Sequence, residues 1–296
     1  MIEFSSIEQM IEDTRAGGLS LWENIMRSDC EQQGISAEMS FAKMKRMLDA
    51  MVAADASYRA DERSASGLVG GDGGKMMNYI AGGNTLCGDF ISDVMARALR
   101  MGECNACMKR IVAAPTAGAC GVLPAALLAY REHFCKDDTE SEEKLIRALY
   151  VAAGFGMIIA NRASISGAEG GCQAEIGAAA AMAAPALVQL MGGTPEQMAH
   201  ACAMATKNLL GLVCDPVGGL VEVPCVKRNV AGAVTAVSAA DMALAGIESR
   251  VPVDQVIQAL GEVGRHMPLE FRETALGGLA ATPFGKEVKQ RQKERE

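Results

Sequence analysis

Aromatic residues are scarce in this chain: phenylalanine, tryptophan and tyrosine together make up 4% of its 296 residues. Aromatic side chains are favoured in β-strands, so their scarcity argues against a sheet-rich fold. The sequence instead has 19 methionines and 32 glycines, and half of its residues are hydrophobic. We therefore expect an all-α fold, a single large helical domain whose buried helices are rich in alanine, glycine and methionine.

An excess of positive charge is also missing, since the net charge is −8. This charge argues against nucleic acid and against an anionic membrane surface as partners. The first residues are acidic and helical in pattern, without the basic and apolar regions of a signal peptide. We expect the ten cysteines to be reduced, cytoplasmic thiols, some of them metal ligands.

Two windows of 20 residues, 111–130 and 176–195, carry no charge. Their length alone would allow a membrane-spanning helix. The first window contains two prolines and several turn residues, however, and the second is mostly alanine, which is only weakly apolar. We interpret both as segments buried on all sides within a helical protein.

Three cysteines stand out by their surroundings: Cys172 follows a Gly-Gly pair, Cys214 precedes Asp-Pro, and Cys225 follows a proline. We expect all three at turns or helix ends, where a thiol can face a ligand. Their gaps of 42 and 11 residues fit neither a zinc ribbon nor a ferredoxin, which keep some ligands close together in sequence. The spacing would suit a cluster assembled from distant segments, with three protein thiolates and one open iron.

The other cysteines give weaker signals. Cys104 and Cys107 form a C-x-x-C motif, but no second pair accompanies it and no strand precedes it. We interpret them as core or surface thiols, with a redox or metal role as the alternative. Thr194 and Gln197 predict a capped helix start, and Cys202 on the apolar face of that helix is predicted to lie in the core.

A glycine-rich stretch, SASGLVGGDGG, covers residues 64–74 and leads into Lys75. It does not match a phosphate-binding loop, because Val69 replaces the first glycine and Met76 replaces the magnesium-binding Ser or Thr. A plain linker and a flexible approach to a small ligand both stay open. The preceding residues, 1–63, are predicted to form an N-terminal helical module.

A second stretch of small residues, APTAGACGVLPAALL, covers residues 114–128. Small residues leave backbone N–H groups accessible near a helix N-terminus, which suits an anion such as a carboxylate. Close helix packing through small residues is the alternative.

Over residues 75–285 the chain resembles the α subunit of bacterial iron–sulfur-dependent L-serine dehydratases of the two-chain type. The resemblance is carried by three motifs: PTAGACGVLPA at 115–125, EGGCQAEIG at 169–177 and CDPVGGLVEVPCVKRN at 214–229. It implies that residues 64–296 form an Fe–S catalytic helical domain. It further implies conversion of L-serine to pyruvate and ammonia without pyridoxal phosphate.

The same resemblance implies a [4Fe-4S] cluster held by Cys172, Cys214 and Cys225. An iron with an open position would act as a Lewis acid on the substrate hydroxyl.

Substrate-binding residues are suggested by their place in the matched motifs. Thr116, Ala117 and Gly118 are candidates for a clamp on the substrate carboxylate. Arg228 is a further candidate.

The base that removes the Cα proton is not identified by the sequence. Lys75 would serve if burial lowered its pKa. None of the three histidines lies in a matched motif, so the base could come from a separately encoded β subunit. Such a partner, and hence a hetero-oligomer, is implied by the two-chain type. Single-chain relatives carry a further domain, and in them a tail cysteine can occupy the fourth iron at rest; the tail of this sequence contains no cysteine.

Three alternatives stay open at this point. One is a related cysteine desulfidase, in which a thiolate leaves in place of hydroxide. Another is an Fe–S electron carrier or scaffold, although simple electron transfer usually employs four protein ligands. A structural zinc site is disfavoured because the ligands are not paired in sequence.

Overall fold

The computed structural model describes residues 4–136 and 138–294. The first half of this described part contains α1 (Ile7–Gly17), α2 (Leu21–Gln33), α3 (Ala37–Ala56), α4 (Asp72–Ala81), α5 (Gly88–Ala106), α6 (Val122–Phe134) and α7 (Ser141–Arg162). The second half contains α8 (Gly167–Gly170), α9 (Ala178–Leu190), α10 (Pro195–Asn208), α11 (Cys225–Leu244), α12 (Val253–His266) and α13 (Pro283–Lys293). The described residues form no β-strand, and the all-α prediction is confirmed.

Helix α9 lies at the centre of the core. Each of its residues from Ala178 to Val188 is buried, and it packs against α6, α7, α10 and α11. Its run of alanines allows this because a methyl side chain lets neighbouring helix backbones approach closely. The prediction that the windows 111–130 and 176–195 are buried on all sides holds only in part, because residues 119–130 and 178–188 are buried but Ala113, Ala117 and Met191 are exposed.

Within the residues described, no helix combines the length and apolar character needed to cross a membrane.

The N-terminal helices share their core with the rest of the chain. Ile25 of α2 packs onto α7 so closely that a Cβ on Gly154 would lie 2.5 Å from its Cδ1. Ser40 of α3 and Tyr150 of α7 are joined by a buried hydrogen bond of 2.7 Å between their hydroxyls. One hydrophobic cluster therefore extends across residue 64, and a separate module before that residue stays a prediction.

Helix α10 begins with the capping box that Thr194 and Gln197 predicted. The Thr194 hydroxyl accepts a hydrogen bond from the Gln197 N–H at 3.3 Å, and the Gln197 side chain accepts one from the Thr194 N–H at 2.9 Å. This reciprocal cap fixes where α10 begins. The irregular segment between α10 and α11 then carries Cys214 towards the start of α9.

Candidate metal centre

Cys172 lies immediately before a π-helical turn, Gln173–Gly177, that leads into α9. The preceding Gly171 has a φ of 73°, and a Cβ at this position would meet Met267 Sδ at 2.5 Å. Glycine is required here for both reasons. The turn buries Cys172 to 2% exposure at the N-terminal end of the central helix.

The other two cysteines of interest come from the segment between α10 and α11. Cys214 is 2% exposed in the irregular part of this segment, and Cys225 is the first residue of α11 at 8% exposure. All three cysteines thus lie at turns or helix ends, as expected from their neighbours in sequence.

The three thiols are close enough to influence one another's ionisation. A hydrogen bond from Cys214 lowers the pKa of Cys172, and the same interaction, together with burial, raises the pKa of Cys214. Burial, followed by the charge of Cys172, raises the pKa of Cys225 to about 12. A negative charge on Cys172 therefore opposes the ionisation of the other two thiols.

A partly buried arginine supplies positive charge beside these thiols. Arg228 donates from Nη1 to the Val213 carbonyl and from Nη2 to Asp215 Oδ1, each at 2.8 Å. Its charge lowers the pKa of both Cys172 and Cys225. Arg228 thus contacts the segments that carry the cysteines.

Asp215 holds Arg228 in this orientation. The aspartate side chain is 4% exposed, and its second oxygen, Oδ2, accepts a hydrogen bond of 2.8 Å from the Leu279 N–H. Because Asp215 immediately follows Cys214, this ion pair also fixes the cysteine loop.

The segment after α12 is joined to the cysteine loop through its backbone. The Cys214 N–H donates to the Phe271 carbonyl, and the Glu273 N–H donates to the Cys214 carbonyl, both at 2.8 Å. This short parallel pairing places Glu273 beside Cys214. Glu273 has a φ of 62°, a conformation that residues other than glycine seldom adopt.

Glu175 is the functional candidate that the sequence analysis missed. Its Oε1 accepts a hydrogen bond of 2.7 Å from the Thr116 hydroxyl, and its Oε2 lies 3.9 Å from Cys214 Sγ. Burial raises the pKa of Glu175, the Thr116 bond opposes this shift, and the charge of Glu273 adds to it. Glu175 lies three residues after Cys172, and in a helix this spacing puts two side chains on the same face. That pattern could have identified Glu175 from the sequence.

Asn229 connects two of the motifs. Its Oδ1 accepts from the Gly121 N–H at 2.8 Å, and its Nδ2 donates to the Gly118 and Cys225 carbonyls at 2.8 and 2.9 Å. Asn229 is 1% exposed. It thereby fixes the small-residue turn with Thr116, Ala117 and Gly118 against the start of α11.

Lys75 lies in a different environment. Its side chain is 78% exposed, and its Nζ forms an ion pair of 2.8 Å with Asp72. Lys227 pairs with the same aspartate at 2.9 Å. Lys75 therefore lacks the burial on which its candidacy as a base depends.

The glycine-rich stretch is anchored to the cysteine loop. Glu222 is 6% exposed, and its Oε2 accepts hydrogen bonds from the hydroxyls of Ser64, at 2.9 Å, and Ser66. The stretch therefore supports the segment between Cys214 and Cys225.

The remaining cysteines do not join the site. All ten cysteines are free thiols. Cys104 is buried, with its thiol 3.7 Å from the Ala54 carbonyl, and Cys107 is half-buried beside it. Cys202 is fully buried in α10, as predicted.

Comparison with known proteins identifies the family. The family described as "Serine dehydratase alpha chain" matches residues 16–280. The chain belongs to this serine dehydratase alpha chain family.

Two relatives within the family align along nearly the whole chain. The "Probable L-serine dehydratase, alpha chain" of Bacillus subtilis (strain 168) is 47% identical over 288 residues, 97% of this chain and 95% of the relative. The "L-serine dehydratase, alpha chain" of Peptoniphilus asaccharolyticus is 38% identical over 286 residues, 96% of this chain and 97% of the relative. The family resemblance inferred from the three motifs is confirmed.

A longer relative aligns only in part. "L-serine dehydratase 2" of Escherichia coli (strain K12) is 48% identical over 184 residues, which are 62% of this chain and 40% of the relative. The alpha chain family thus shares its sequence with a minor part of that longer protein.

Proposed function

We propose that this chain is the α subunit of an L-serine dehydratase, which converts L-serine to pyruvate and ammonia. The observation that carries the proposal is the convergence of three buried cysteines from separate segments beside Arg228. Membership of the serine dehydratase alpha chain family supports the same substrate.

The donor set fits a [4Fe-4S] cluster. Thiolates are the protein ligands that iron–sulfur clusters prefer, and Cys172, Cys214 and Cys225 supply three of them. Among the described residues, no fourth cysteine interacts with these thiols. Arg228 offsets part of the negative charge that three thiolates would bring. When bound, the cluster would supply a Lewis-acidic iron for the substrate hydroxyl.

Roles for the surrounding residues follow from their contacts. The backbone N–H groups of the turn with Thr116, Ala117 and Gly118 are proposed to bind the substrate, whereas the Thr116 hydroxyl donates to Glu175. Arg228 is proposed mainly to support the thiols, because its Nη1 and Nη2 already donate to Val213 and Asp215.

A separately encoded β subunit completes the proposal. Two relatives that align over nearly their full length are named alpha chains, which supports a hetero-oligomer. The exposure of Glu273 beside Cys214 leaves one side of the site open for a second chain to cover. Lys75 is solvent-exposed, so we propose that the partner contributes the base, in a cytoplasmic setting where thiols stay reduced.

Turnover tests this proposal directly. The chain, purified without air and reconstituted with iron and sulfide, should form pyruvate from L-serine when co-expressed with its candidate β subunit, and should do so poorly alone. L-Cysteine serves as the comparison substrate, with sulfide release as its readout. Sulfide release from L-cysteine without pyruvate from L-serine would favour a desulfidase, and no turnover of either substrate with the partner present would refute the proposed activity.

A further inference from the structure

Two carboxylates face each other beside Cys214. An oxygen of Glu175, an oxygen of Glu273 and the Cys214 sulfur all lie within 4.8 Å of one another. Gly167 adjoins both acids: a Cβ at this position would lie 2.6 Å from Glu175 Oε2 and 2.9 Å from Glu273 Oε2. The absence of a side chain at Gly167 therefore leaves room for the two acids to approach.

The described residues contact this carboxylate pair through hydroxyl and thiol groups rather than through ion pairs. Among the residues described, no lysine, arginine or histidine forms an ion pair with Glu175 or Glu273. The Thr116 hydroxyl donates to Oε1 of Glu175, and Oε2 accepts only a long hydrogen bond of 3.9 Å from the Cys214 thiol. Carboxylate oxygens accept hydrogen bonds, so two carboxylates directed at one point suit a positively charged group with several N–H donors.

The position of the pair limits what that group can be. Glu175 Oε2 is 3.9 Å from Cys214 Sγ, so a cation held there lies directly beside the proposed cluster. L-Serine carries its ammonium on the carbon next to the hydroxyl-bearing carbon. A residue that holds the ammonium must therefore lie close to the metal that takes the hydroxyl.

We propose that Glu175 and Glu273 bind the α-ammonium group of L-serine, an inference that rests on the proposed function. Glu175 contacts both the three-thiol centre, through Cys214, and the Thr116–Gly118 turn, through the Thr116 hydroxyl. A Cβ on Gly118 would lie 3.1 Å from Glu175 Oε1, so the turn and the acid are adjacent. The carboxylate of L-serine would contact the turn, and its ammonium would contact the acids.

Selectivity for amino acids over simple hydroxy acids follows from this arrangement. 3-Hydroxypropionate retains the carboxylate and hydroxyl of serine but has hydrogen in place of the ammonium. Without a cation it should be disfavoured between two carboxylates. Removing one negative charge from the pair should weaken L-serine binding and relieve the repulsion of 3-hydroxypropionate.

The test compares Glu175→Gln and Glu273→Gln with Glu270→Gln, an exposed glutamate of the same segment. Each variant is prepared as the reconstituted complex, and three quantities are measured: the KM for L-serine, the inhibition constant of 3-hydroxypropionate and the iron content. We expect the KM for L-serine to rise about 10- to 100-fold, because each of these two variants loses one hydrogen bond to a charged group. Inhibition by 3-hydroxypropionate should be unchanged or stronger, and Glu270→Gln should match the wild type.

Several outcomes would overturn the inference. Equal losses for L-serine and 3-hydroxypropionate would assign the acids a structural role. Loss of iron in Glu273→Gln, which changes an exposed side chain, would assign the pair to a metal ion instead. A wild-type complex without serine turnover would defeat the proposed function itself, whereas normal turnover with unchanged selectivity in both variants would defeat only the ammonium site.

Discussion

Replacing Cys172, Cys214 or Cys225 with serine is expected to remove essentially all bound iron and all serine turnover. A serine hydroxyl is a harder and far less acidic donor than a thiol, so it does not substitute for a thiolate on an iron–sulfur cluster. Each thiol is buried beside the others, and no other cysteine of the described chain interacts with them to take its place. Iron and sulfide content after anaerobic reconstitution measures the loss.

Two matched variants serve as controls for the cysteine series. Cys107→Ser changes a half-buried thiol outside the site, and Cys202→Ala removes a thiol that is fully buried in α10. Both should retain iron and activity. If Cys107 were needed while Cys214 was dispensable, the ligand assignment would be wrong.

Replacing Arg228 with methionine is expected to lower the free energy of unfolding by about 3 kcal/mol, because Asp215 would be left as a buried charge without its partner. The ion pair is 2.8 Å long, with side chains only 16% and 4% exposed. The same variant should hold iron less well, because the guanidinium charge that favours ionised thiols is lost. Chemical denaturation of the metal-free chain measures the stability change.

A double-mutant cycle separates the buried charge from simple loss of packing. Asp215→Asn, added to Arg228→Met, removes the charge but keeps an oxygen for the Leu279 N–H, so it should recover much of the lost stability. Arg15→Met breaks an exposed ion pair with Glu196 and should cost less than about 1 kcal/mol. An Arg228→Met chain as stable as the Arg15→Met chain would show that the buried pair does not stabilise the fold.

Local sequence signals were sufficient for the class of fold. The reciprocal cap of Thr194 and Gln197 and the alanine-rich run of α9 specify helices from within a few residues. The same reasoning placed Cys172, Cys214 and Cys225 at turns or helix ends because glycine and proline adjoin them. In each case the prediction depended only on residues that are neighbours in sequence.

The contacts that complete the site have no local signal. Thr116 and Glu175 are 59 residues apart in sequence, yet their side chains are 2.7 Å apart. Glu273 reaches Cys214 only through a backbone pairing between distant segments. Lys75 was a candidate base only on the condition that it is buried, and its exposure depends on how α4 packs. Such features follow from tertiary packing.

The most direct test of the central claim is Mössbauer spectroscopy of the 57Fe-reconstituted complex, recorded with and without L-serine. Three cysteine ligands and one open position predict three irons of one kind and a fourth that differs, and only the fourth should change when L-serine is added. Four equivalent irons, or a spectrum that L-serine does not alter in a complex that turns it over, would contradict the account.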